Sequence, residues 1–153
     1  MTSYLMDTNA FNYIRDDKYA DVATVARQAR GRVYVTHHQA DEINNTQDAA
    51  RRAILAECLQ TINADAWPTE TFVIGKSRLG MAKLSDGGRY NAILVELDKR
   101  KIKKSNKADA LIGETAEAHG CVLVSDDRDF SKVMTARGVR VIGWRQFIAE
   151  LAP

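Results

Sequence analysis

Long apolar runs are missing from this sequence, so no stretch of it reads as a membrane-spanning helix. The N-terminus also lacks the basic-then-apolar layout of a signal peptide, and the expected location is the cytoplasm. Cysteine is scarce: Cys58 and Cys121 lie far apart, each in an apolar-patterned segment. This predicts two buried thiols and no disulfide, and neither cysteine has a metal-ligand companion at motif spacing. Charge of one sign is not in excess. The net charge of +2 is too small to mark a nucleic-acid binder by itself. Gly-x-Ser-x-Gly, Walker and Gly-x-Gly-x-x-Gly motifs are absent, as are internal repeats and low-complexity linkers. What is present is 153 residues, 45% hydrophobic and 27% charged, which fits one soluble globular domain spanning residues 1–153.

Strands and helices alternate along the chain. Tyr4, Leu5 and Met6 make a short apolar run suited to a buried parallel strand. Asp7 ends it, and Thr8 and Asn9 supply helix-starting chemistry ahead of Phe11, Tyr13 and Ile14. Lys18 to Arg30 reads as an amphipathic helix stopped by Gly31, and Arg32 to Thr36 as a second strand. The next element begins near His38. A helix from Thr46 to Ile62 is expected to carry Ala50, Ile54, Cys58 and Ile62 on one stripe, and Trp67-Pro68 closes this pair. Thr71 to Gly88, rich in glycine and basic residues, reads either as a short helix with a loop or as a mobile flap. Helical spacing returns at Tyr90, Ile93, Leu94 and Leu97. Ser105-Asn106 offers caps for a helix from Lys107 to His119, which Gly120 terminates. Cys121 to Val124 and Val139 to Ile142 read as strands, and Phe130 to Ala136 and Trp144 to Leu151 as helices.

With no hairpin signal between β runs, this order predicts a three-layer α/β/α sandwich around a mostly parallel sheet of four to five strands. Right-handed crossovers then place the strand C-termini on one edge, where open α/β folds bind their ligands. Acids arrive at that edge from four directions. Asp7 follows the first strand, and Glu42 lies six residues beyond Thr36. Asp109 falls in the first turn of its helix, and Asp126 and Asp127 follow the Val122–Val124 run. Each alone reads as a helix cap, a turn former or a solvated acid. Held close together they repel and lose hydration, so a fold retains them where a cation neutralises them. Oxygen-only ligation suits Mg²⁺ or Mn²⁺, and such a site supports attack of an activated water on a phosphodiester.

The order strand–Asp7-Thr8-Asn9, Thr36 with Glu42, Asp109-Ala110-Leu111-Ile112 and Leu123-Val124-Ser125-Asp126-Asp127-Arg128-Asp129-Phe130 resembles the PIN-domain nucleases. It is most similar to the small bacterial VapC-type toxins of toxin–antitoxin systems. That resemblance implies a Mg²⁺- or Mn²⁺-dependent endoribonuclease leaving 5′-phosphate and 3′-hydroxyl ends, a homodimer, and a cognate antitoxin partner. The family's fourth acid sits eighteen residues after the third and two after a strand-ending Thr. Here that is Asp127 (127 − 109 = 18), with Ser125 supplying the hydroxyl. Asp7, Glu42, Asp109 and Asp127 would then hold the metal. Asn9 and Ser125 would position a carboxylate or a water, with Asp126 an extra acid beside them, and Asp129 joins the cluster or caps the next helix. Two alternatives share the fold: a housekeeping nuclease of RNA processing, and a non-catalytic RNA- or protein-binding module. The module would be marked by lost acids, and none is missing.

The run Lys99 to Lys107 leads into the helix bearing Asp109. Lys101, Lys103, Lys104 and Lys107 read as a rail for an RNA backbone, with a solvated linker as the plain alternative. His37-His38 is set aside as a metal pair, because adjacent residues on one element face different ways. His119 sits at a helix C-terminus, where positive charge is favourable.

Overall fold

A side-chain period of two divides the first strand between two cores. In the computed structural model, which describes residues 2–16, 27–29, 31–62, 64–100 and 105–151, β1 is Tyr4–Met6. Tyr4 and Met6 point into one apolar cluster and Leu5 into another. β2 (Val33–Val35), β3 (Asp65–Ala66), β4 (Val122–Val124) and β5 (Val141–Ile142) complete a sheet in the order β3-β2-β1-β4-β5. Every pairing is parallel, with Leu5 opposite Tyr34 on one side and Leu123 on the other. β1 and β4, at the centre, are buried on both faces, which is why both are unbroken apolar runs.

On the Tyr4 and Met6 face lie α1 (Thr8–Asp16), α2 (His37–Asn44), α3 (Ala49–Ile62) and α7 (Trp144–Leu151), through Phe11, Ile43, Cys58 and Phe147 among others. On the Leu5 face lie α4 (Gly88–Arg100), α5 (Lys107–His119) and α6 (Arg128–Ala136), through Ile93, Leu111 and Phe130. The expected three-layer α/β/α sandwich is therefore present. Leu5, Phe11, Ile93, Leu111, Phe130 and Phe147 have no exposed surface. Burial of each such side chain contributes about 1.5–3 kcal/mol relative to exposure. Both cysteines are buried, as expected. Gly120 ends α5 in the left-handed conformation at φ 59°, where a glycine avoids the Cβ clash.

Several elements depart from the sequence reading. β3 was not expected; it is a two-residue edge strand held by β2, too short for a periodic signal. The α3 stripe holds at Cys58 and Ile62 and departs only in its first half. Leu55, Cys58 and Ile62 are buried, whereas Ile54 is 42% exposed. Thr36 does not extend β2. It caps α2 in a reciprocal box with Gln39, a Thr-x-x-Gln signature legible in the sequence. Thr71 to Gly87 contains no helix, and α4 begins at Gly88; a bridge from Thr69 to Ala82 ties the segment together, and the Thr71 hydroxyl donates to Glu114 Oε1 at 2.7 Å. Asn106 occupies the N-cap position of α5 without a side-chain cap bond, because its amide donates to Asp98 Oδ1 instead. The helix expected over Lys18 to Arg30 lies almost wholly outside the described residues, as do Lys101, Lys103 and Lys104. Among the described residues, no helix is long and apolar enough to cross a membrane.

Candidate active site at the C-terminal edge of the sheet

The register of the central strands fixes the first acid. The Asp7 amide donates to Val124 O at 2.9 Å, so the residue after β1 lies beside the end of β4. There Ser125, whose backbone amide donates to Ile142 O at 3.0 Å, donates from its hydroxyl to Asp7 Oδ2 at 2.9 Å. The same Ser125 oxygen accepts from the Asp127 amide at 3.2 Å. On the other side of β1, Gln39 Nε2 donates to Met6 O at 2.6 Å while Gln39 Oε1 accepts from the Thr36 amide and hydroxyl. This buried side chain locks the first turn of α2 to the end of β1. Glu42 follows one turn later, on the exposed side of α2.

Asp7 is 4% exposed, and burial pushes its carboxyl up to about 7. The neighbouring charge of Asp109 raises it further, the Ser125 hydroxyl opposes the rise, Glu42 adds to it, and the Thr8 amide opposes it. Asp109 and Glu42 are thus each near enough to act on the Asp7 charge. Asp109 is itself buried in the first turn of α5, where the helix N-terminus favours an anion.

The remaining acids are placed differently. Asp127 is half-buried and caps α6, accepting from the Asp129 and Phe130 amides at 3.0 and 2.9 Å through Oδ1. Asp126 turns to α7, where Oδ2 accepts from the Trp144 amide at 2.9 Å. Gly143 makes room for this, since a Cβ there would meet Asp126 Oδ1 at 2.6 Å. Asp129 lies in the first turn of α6 and is itself half-buried. Asn9 is exposed on α1 and, with Asn12, Tyr13, Arg51, Asp126 and Asp127, lines a cleft of about 320 Å³. Arg51, which the sequence offered only as a basic residue that could extend the lysine rail, donates to Asn12 Oδ1 at 2.5 Å, and this holds a guanidinium at the cleft. Lys107 is exposed two residues before Asp109.

His37 and His38 do not face different ways as expected. The two rings lie 3.9 Å apart, and a ligand atom of each falls within 4.8 Å of the other and of Asp41. Consecutive side chains on a helix diverge at Cβ, but two imidazoles are long enough to lean together. Burial holds His38 down at about 4, with His37, Lys76 and Arg78 adding to the effect, so the ring stays neutral. His119 is placed at the end of α5 as expected, stacked on Trp67 at 4.0 Å with Nε2 3.3 Å from Glu70.

The acid cluster fits a hard divalent cation on the chemistry of its donors. Its groups are carboxylates, and one is desolvated and repelled by its neighbours to the point of protonation near neutrality. A PIN domain model matches residues 4–135, and the chain belongs to the PIN domain family. Its fold is similar to that of PAE2754 from Pyrobaculum aerophilum, at 16% identity over 98% of this chain and 96% of that one, with a TM-score of 0.62. It is similar also to DNA-bound VapBC from Salmonella typhimurium, at 17% identity over 94% and 99% of the two chains, TM-score 0.63. FitAcB from Neisseria gonorrhoeae shares 17% identity over 93% and 98%, TM-score 0.52. No curated protein matches the sequence.

Proposed function

We propose that this PIN protein is a metal-dependent endoribonuclease and the toxin of a VapBC-type toxin–antitoxin pair, acting as one domain in the cytoplasm. The observation that carries the reading is Asp7: a buried carboxyl at the sheet edge, raised to about 7 by burial and by Asp109 and Glu42. Structural stability alone gives no reason to bury a carboxyl there beside two further acids that repel it. Mg²⁺ or Mn²⁺ would be held by Asp7, Glu42, Asp109 and Asp127. Such an ion, when bound, supplies an activated water and neutralises charge developing on the phosphate.

The chain's own residues do the rest. Ser125 orients the Asp7 carboxylate through Oδ2 and the Asp127 backbone through its amide. Asn9 positions a water or a carboxylate at the mouth of the cleft, and Arg51 offers a phosphate a guanidinium there. Lys107, with Lys101, Lys103 and Lys104, guides the RNA backbone toward Asp109. The likeness to VapBC and FitAcB supports an antitoxin partner and, with the family resemblance, a homodimer. The test is cleavage of single-stranded RNA by the purified protein in Mg²⁺ or Mn²⁺ and in EDTA. Cleavage confined to the metal-containing reactions, leaving 5′-phosphate ends, is expected, and undiminished cleavage in chelator would sink the reading.

A further inference from the structure

His37 and His38 open α2 directly after its cap, Thr36. They are 7% and 3% exposed; His37 meets the turn that carries Lys76 and Arg78, and His38 lies within reach of those two charges. His37 Nε2 lies 3.4 Å from the Lys76 carbonyl oxygen. A carbonyl can only accept, so Nε2 carries the proton and Nδ1 the lone pair. That Nδ1 is buried without a hydrogen-bond partner among the described residues, and so is His38 Nε2. Asp41, one turn further along, brings a carboxylate, and one ligand atom from each of the three residues lies within 4.8 Å of the others. Buried, unpartnered imidazole nitrogens beside a carboxylate weaken a fold unless something takes up their lone pairs.

We propose that His37, His38 and Asp41 form a second cation site, separate from the acid cluster, that takes a divalent transition ion of the Zn²⁺ class. Two nitrogens and one carboxylate suit such an ion and not Mg²⁺, which selects oxygen. The bond from His37 Nε2 to Lys76 O is the kind that fixes the tautomer and orientation of a ligating imidazole. Lys76 and Arg78 are the opposing positive groups. Arg78 pairs with Asp41, yet its side chain is 57% exposed and can turn outward into water. Arg78 is therefore a built-in competitor for Asp41. An ion bound here clamps the start of α2, and with it the helix that carries Glu42, to the Lys76 turn. This site stands or falls independently of the nuclease reading.

The test is a Co²⁺ titration of the whole protein in excess Mg²⁺, followed by visible absorption, with Zn²⁺ as competitor. The wild type is expected to bind one Co²⁺ per chain with the absorption of a nitrogen-ligated ion, displaced by Zn²⁺. Asp41→Asn should weaken binding by about tenfold or more, Arg78→Ala should tighten it, and a His37→Ala/His38→Ala double variant should abolish the band. Because the histidines are buried, Asp41→Asn and Arg78→Ala decide the matter if the double variant does not fold. Absence of the band in folded wild type would overturn the proposal. So would Asp41→Asn and Arg78→Ala both binding as the wild type does.

Discussion

The Ser125 hydroxyl donates to Asp7 Oδ2 across 2.9 Å, joining residues 118 positions apart in the chain. The same oxygen accepts from the Asp127 amide, so one hydroxyl links two of the four proposed metal-holding acids. Ser125→Ala should therefore lower RNA cleavage by about 10–100-fold, the usual cost of removing a group that orients a metal ligand. Ser125→Thr, which keeps the hydroxyl, should restore most of the activity. Equal rates for Ala and Thr would mean that the hydroxyl only fills space.

Asp7→Asn should abolish cleavage and, in metal-free buffer, stabilise the fold. The sign follows from the shift. The native carboxyl titrates near 7 and the unfolded one near 3.8, so between these values the native state binds more protons and stability falls as pH rises. The gain in Tm from Asp7→Asn should thus be full above pH 7, shrink as pH falls toward 3.8, and vanish below it. Thermal unfolding across that range checks it. A gain independent of pH would assign it to something other than charge.

The adjacent acids Asp126 and Asp127 should separate cleanly. Each caps a helix, so either change to Ala should cost about 1 kcal/mol, or about 2–4 °C in Tm. Only Asp127→Ala should also abolish cleavage, because Asp127 shares the Ser125 hydroxyl with Asp7, whereas Asp126 turns away to α7. Equal activity losses would show that both acids serve the metal.

Most of the architecture was legible because its signals are local. The runs Tyr4–Met6 and Val122–Val124 are apolar because both faces of those strands are covered. Asp7, Asp109 and Glu42 could be grouped from topology alone, since parallel strands end on one edge. What stayed hidden depends on contacts across the chain. β3 exists only because β2 supplies its hydrogen bonds. The commitment of Asp126 to α7 rests on the absence of a Cβ at Gly143. The pairing of His37 with His38 rests on how far two rings lean, which helical spacing does not report.

Changing Lys101, Lys103 and Lys104 together to Ala should weaken RNA binding and flatten its dependence on salt, because each phosphate contact releases counterions. Turnover at saturating RNA should hold, since these lysines act on the backbone and not at the phosphorus. RNA titrations at two salt concentrations check this. Unchanged slopes would move the substrate path to the basic segment from Lys76 to Arg89.

The central claim is that the carboxylates around Asp7 are a cation site, and Mn²⁺ titration followed by the electron paramagnetic resonance of the free ion tests it most directly. Wild-type protein should deplete the free-ion signal, and Asp7→Asn and Asp109→Asn should each lose that binding while remaining folded. Folded wild type that leaves the signal intact, or variants that deplete it equally, would contradict the account.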